Sequence, residues 1–260
     1  MPFDPKAVDG RVETARFAGI TFERFRDMAQ DLNLTDNEKI GMPDATRSGY
    51  ENAILEDIRS KLPVLERPGR TLVDIGSGCG TLARRLIDWC ATMQHTLVLV
   101  DSDEMLRQLP PAPHALRVAG RFPDVAGRIE ALVGDGADAV LIYGVLSVVF
   151  LEANPFLFVD RAAALLRPGG RLLIGDVPNV SKLRRFLASS AGAQYHRAYM
   201  RTADDPHVGA FEAAGDRIDD GVVLGILSRA RAGGYDAYVL PQSDSAPLSN
   251  RREDILIIRP

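Results

Sequence analysis

At 260 residues the chain is long enough for one large α/β domain, or for a domain with an extension. A net charge of −4 argues against nonspecific nucleic-acid binding, which needs a basic surface, and 25% charged with 46% apolar residues is the balance of a soluble globular protein. Cys79 and Cys90 form neither a metal-ligand pattern nor a disulfide framework, so a reducing, cytoplasmic setting is expected; no apolar run is long enough for a bilayer, and MPFDPKAVDG does not read as a signal peptide.

Residues 1–68 form a leading segment of helical character. Phe17, Ile20, Phe22, Phe25 and Met28 recur at helical spacing, which predicts one or two amphipathic helices over 12–32. Residues 33–43 are polar and rich in breakers, so they read as a loop. Ser48 is placed to cap a helix over 49–62, with Tyr50, Ile54, Ile58 and Leu62 on one side and Glu51 at the capping-box position. Pro63, Pro68 and Gly69 close the segment.

The stretch TLVDIGSGCGTLARRLID, residues 71–88, follows. Its apolar start reads as a buried strand, and Leu82, Leu86 and Trp89 mark a helix after a glycine turn. A strand feeding a glycine turn that opens a helix is the first half of a nucleotide-binding α/β unit. A dinucleotide fingerprint needs a third glycine where Thr81 stands, and a phosphate loop needs a lysine after Gly80. What stands instead is D-x-G-x-G-x-G, beginning at Asp74. The apolar run Leu97-Val98-Leu99-Val100 then ends in Asp101, about twenty residues on, where a carboxylate can take both hydroxyls of a ribose.

On these residues the chain resembles the class I S-adenosylmethionine-dependent methyltransferases. The resemblance implies that Asp74 and the turn Gly76, Ser77, Gly78 and Gly80 hold the methionine end of S-adenosylmethionine. It implies that Asp101, with Ser102 beside it, holds the ribose. Asp103 and Met105 fall where the family lines the adenine, although a helix start explains Asp103 equally well. Residues 114–120 read as a third strand. The family's acid after that strand is replaced by Gly120-Arg121-Phe122, which leaves Phe122 to stack on the adenine.

A fourth strand is predicted from residue 139, ending near Tyr143 at the switch point where such folds bind ligands. Tyr143 there is either beside the sulfonium or a rim tyrosine. The (D/N)PP(Y/F) sequence of enzymes that methylate the amino groups of DNA bases does not follow it. Residues 158–166 read as a helix stopped by Arg167-Pro168-Gly169-Gly170, and the run Leu-Arg-Pro-Gly-Gly-Arg before the fifth strand, 171–176, is a second likeness to the family. Residues 176–216 are too long for a plain connection and predict a helix with an acceptor-side loop. A helix over 220–231 and a strand pair, 235–240 and 254–258, complete the chain. The expectation is a Rossmann-like, doubly wound α/β fold, with a seven-stranded, mostly parallel sheet whose last strand is reversed. The methyltransferase domain is expected to span 69–260, with 1–68 as a helical extension or lid.

The function expected is methyl transfer to a hydroxyl or amine of a small polar, possibly anionic metabolite such as a sugar derivative. The protein's part is to align the acceptor and take its proton. Asp176, His196 and Tyr143 are the candidate bases; Asp176 reads equally as a turn cap, and His196 as a structural histidine. Asn179, Lys182, Arg184 and Arg185 are candidates for binding the acceptor, and the three cations read equally as a solvated helix face. A metal-assisted variant would use Asp176 and Asn179, but lacks a second acid after the fourth strand. Aminopropyl transfer on the same fold, and a non-catalytic cofactor-binding scaffold, are the alternatives.

Overall fold

The computed structural model describes residues 20–208 and 217–260. The first described elements are α1 (Phe22–Gln30), α2 (Asp36–Lys39), α3 (Asp44–Arg47) and α4 (Glu51–Lys61). Phe17 and the end of the 176–216 excursion lie outside the described residues. The 33–43 stretch is not all loop: Thr35 and Glu38 form a complete capping box that nucleates the single turn of α2. Ser48 does not cap α4. Its hydroxyl bonds Asp44 and Asn37, and Tyr50 holds the cap position without a side-chain bond, while the Glu51 carboxylate accepts the Gly49 N–H at 2.9 Å.

The sheet begins with β1 (Thr71–Ile75), followed by α5 (Thr81–Thr92), β2 (Thr96–Asp101), the single turn α6 (Asp103–Leu106) and β3 (Ala115–Ala119). Next come α7 (Ala126–Val133), β4 (Ala137–Tyr143), α8 (Leu146–Glu152), α9 (Pro155–Ala164) and β5 (Leu166–Pro178). The Arg-Pro-Gly-Gly run is therefore extended chain at the start of β5 rather than a helix stop, with a bulge where β5 joins β4. The 176–216 excursion carries two helices, α10 (Val180–Leu187) and α11 (Ser190–Met200). The chain closes with α12 (Asp220–Ala232), β6 (Asp236–Pro241) and β7 (Arg252–Ile258).

The seven strands run in the order β3-β2-β1-β4-β5-β7-β6, with only β7 antiparallel to its neighbours. Strand residues alternate between two cores. Val73, Val98, Val100, Val140 and Ile142 face one side with Phe158, Ile226 and Leu227. Leu72, Leu97, Leu99 and Leu141 face the other with Ile54, Ile58, Leu86 and Trp89. A parallel sheet covered on both faces needs apolar residues at every position, which is why these strands read as unbroken apolar runs. Through Ile54 and Ile58, α4 of the leading segment is built into the second core. Chain order reverses between β1 and β4, so the connections leaving their carboxyl ends pass to opposite faces of the sheet and leave a crevice there.

Candidate functional site

That crevice is a cavity of about 310 Å³. Asp74, Gly76, Ser77, Gly78 and Gly80 line it from the β1–α5 turn, Asp101 from the end of β2, and Tyr143 and Asp176 from the ends of β4 and β5. Gly76 (φ 76°) and Gly78 (φ 62°) sit in the left-handed region that side chains disfavour. A Cβ on Gly76 would meet Val145 at 2.4 Å, and one on Gly78 would meet Ile40 at 2.7 Å. The turn is thus pressed between the residues after β4 and the leading segment, which closes over it through Ile40.

Asp101 is held by two backbone donors: the Gly78 N–H reaches Oδ2 at 2.8 Å and the Ser102 N–H reaches Oδ1 at 2.6 Å. Burial raises its pKa to about 6 against the pull of those bonds. Asp74, 3% exposed, is raised to about 7 by burial first and by the charge of Asp101 second. No side-chain hydrogen bond joins Asp74 to another described residue, and the Ser77 hydroxyl is buried without a partner. Ser102 stands apart from this group: it is buried, and its hydroxyl accepts the Met105 N–H at 3.2 Å to cap α6. It is not among the cavity's lining residues, and its link to the site runs through Asp101. Met105 and Phe122 do line the cavity, Phe122 packing edge-on to Phe158 at 5.1 Å.

The other end of the cavity is built on a buried polar network. Asp176 takes a left-handed conformation (φ 60°), and its N–H donates to Asp254 Oδ1 at 2.9 Å. Asp254 is fully buried and pairs through Oδ2 with Lys61 at 2.7 Å; Lys61 also pairs with Asp57 at 2.5 Å. Burial pushes the Asp254 carboxyl up while Lys61 pulls it down. Arg252 donates to the Asp176 carbonyl at 3.0 Å and lies 3.2 Å from its carboxylate, so Asp176 faces the cavity as one half of an ion pair. Burial, then the charges of Asp176 and Asp254, push the Tyr143 phenol well above its ordinary pKa. It stays protonated, which suits a donor rather than a base.

Asn179, Lys182, Arg184, Arg185 and His196 are not among the residues lining the cavity. His196 lies on α11, while Lys182, Arg184 and Arg185 lie on α10. Lys182 donates to the Arg252 carbonyl at 2.6 Å, and burial lowers its pKa. Arg185 pairs with Asp220. Asn179 caps α10, and its amide donates to Asp220 at 2.8 Å and Glu253 at 2.6 Å, so it is engaged in structure rather than facing an acceptor. The sequence did not flag Arg47, Ile40 and Arg252, which line the cavity, or Gln242, whose amide donates to Asp254 Oδ1 at 3.1 Å beneath Asp176. Arg47 and Ile40 come from short turns with no periodicity to flag them; Gln242 and Arg252 bracket the polar loop inside the closing hairpin, which carries no motif.

No protein-family model matches the chain. It is 23% identical over 214 residues to the ubiquinone/menaquinone biosynthesis C-methyltransferase UbiE of Rhizobium leguminosarum bv. trifolii, covering 78% of this chain and 81% of that one. Among solved structures it is similar to the plantazolicin methyltransferase BpumL, crystallised with a monoazolic desmethylPZN analogue and SAH (13% identity, TM-score 0.56, 95% of this chain and 99% of that one). It is also similar to an O-methyltransferase family protein from Burkholderia thailandensis (19% identity, TM-score 0.50, 98% and 71%). At these identities the structural likenesses speak for the fold.

Proposed function

We propose that the chain, which is similar to curated methyltransferases and carries their fold, is a class I S-adenosylmethionine-dependent methyltransferase and methylates a hydroxyl or amine of a small polar acceptor placed against Asp176. The observation that carries the proposal is that the Asp176 carboxylate lines the same cavity as the glycine turn and Asp101. The residues present suit the cofactor. Ser77 and Asp74 leave polar groups unspent beside a turn whose glycines keep its backbone bare, and Asp101 retains lone pairs beyond its two backbone bonds. When bound, S-adenosylmethionine supplies a methyl group already activated by its sulfonium.

The chain's own groups then have defined tasks. Asp101 accepts the ribose hydroxyls, and Asp74 ionises against the cationic methionine end. Tyr143, protonated, donates toward the acceptor and fixes its orientation. Asp176, held by Arg252 and by the Asp254 bond to its N–H, takes the acceptor proton at its carboxylate. Ile40 and Phe25 of the leading segment line the cavity and keep water out. Lys182, Arg184, Arg185 and His196 do not line it, so any acceptor anion falls to cations elsewhere.

The likeness to a C-methyltransferase favours a second reading, in which the acceptor atom is a ring carbon activated by loss of a phenolic proton. Asp176 would serve that reaction in the same way. The test is a labelled-methyl screen over metabolite pools, with the position of the label read in each product. With the acceptor in hand, Asp176→Asn should lower kcat by about a hundredfold or more, with cofactor affinity little changed. Wild-type turnover in that variant would remove Asp176 from the reaction.

A further inference from the structure

We propose that Arg47 is an anchor for a carboxylate group bound in the cleft. Arg47 ends α3 and is 4% exposed, yet its guanidinium lines the cavity, lying over the Tyr143 ring at 5.5 Å. Among the described residues no carboxylate or carbonyl pairs with it. A buried guanidinium without a counter-charge is costly, and an aromatic face repays only part of that cost. The cavity's other arginines are already matched, Arg121 to Glu152 at 3.3 Å and Arg252 to Asp176 at 3.2 Å.

The lining acids divide in the same way. Glu152 and Asp176 answer those arginines, Asp101 holds two backbone donors, and Asp74 has no such partner. One unspent guanidinium and one unspent carboxyl group share a single cavity, which complements a molecule carrying both a carboxylate and an ammonium. The planar fork of arginine matches a carboxylate with two parallel bonds. Two sources carry this group: the amino-acid end of the cofactor, and the acceptor. The inference rests on the methyltransferase reading and deepens it, because it assigns the leading segment a direct contact with ligand.

The experiment titrates wild type, Arg47→Met and Arg47→Lys with three probes: S-adenosylhomocysteine, 5′-methylthioadenosine, which lacks the amino-acid end, and benzoate added to the S-adenosylhomocysteine complex. Thermal melts confirm that each variant folds, and the lysine variant, which keeps the charge but not the fork, serves if the methionine variant does not. Loss of one charge-assisted contact predicts that Arg47→Met weakens S-adenosylhomocysteine about ten- to a hundredfold and leaves 5′-methylthioadenosine unchanged. That result places the carboxylate on the cofactor. Unchanged S-adenosylhomocysteine with loss of benzoate binding places it on the acceptor. Equal weakening of both nucleosides, or no change with any probe, overturns the proposal. Wild type that binds neither nucleoside removes the methyltransferase reading itself, and the inference with it.

Discussion

Raising the pH should tighten S-adenosylhomocysteine binding, because two carboxyl groups of the site are held partly protonated when no ligand neutralises their surroundings. Asp74 is raised to about 7 and Asp101 to about 6, both chiefly by burial, from an ordinary 3.8. An acid whose pKa is higher in the folded than in the unfolded state adds stability that is complete below the unfolded value and lost as pH climbs through the folded one. The free protein should therefore lose stability between about pH 4 and pH 7 from these two groups. A ligand with ribose hydroxyls and an ammonium prefers both groups ionised, so its affinity runs the opposite way. At about pH 6 Asp74 is roughly one-tenth ionised and Asp101 about half, which predicts binding about twentyfold weaker than at about pH 8. Calorimetry in two buffers of different ionisation enthalpy reads both the affinity and the proton released at the lower pH. Asp74→Asn should flatten most of the dependence. An affinity that is level across this range in wild type, with no proton release, would refute the reasoning.

Gly78→Val places a β-branched residue at φ 62° with its Cβ 2.7 Å from Ile40; stability should fall by about 1–2 kcal/mol while S-adenosylhomocysteine binding is lost, and a variant that binds normally would show that no ligand lies against this turn. Asp254→Asn removes one of the two countercharges of Lys61, the one beneath Asp176, and should lower kcat more than cofactor affinity, at a cost of about 1–3 kcal/mol in denaturant unfolding. Unchanged kcat in that variant would free Asp176 from the network. Alanine at Lys182, Arg184, Arg185 or His196 should leave acceptor KM within about threefold of wild type, since such positions are felt only through screened fields; a larger rise in any one of them would bring that face back as an acceptor site.

The half of the candidate cleft built by the glycine turn and Asp101 was legible in the chain because it is local. Asp74, the glycines after it and Asp101 lie at the ends of two apolar runs, and the parallel sheet leaves those strands no polar face to blur the pattern. The reversed strand was legible from the Gly233-Gly234 stop and the paired runs that follow. The acceptor half was not. Asp176 could be nominated by its place after a strand, but Gln242 and Arg252 reach it, and Arg47 reaches Tyr143, from segments far apart in the chain. His196 and the α10 cations follow Asp176 in sequence, yet Asn179 turns the chain into a helix tied to Asp220 and Glu253, which takes them out of the cavity. Ser102 differs from its neighbour for a related reason: Asp101 faces the cleft, while the Ser102 hydroxyl caps α6.

The most direct measurement of the central claim is a crystal structure of the protein with S-adenosylhomocysteine. The ribose hydroxyls should lie within hydrogen-bond distance of the Asp101 carboxylate, the amino-acid end against the Gly76–Gly80 turn, and the sulfur facing Tyr143 and Asp176. Density for the ligand outside this crevice, or a ribose turned away from Asp101, would contradict it.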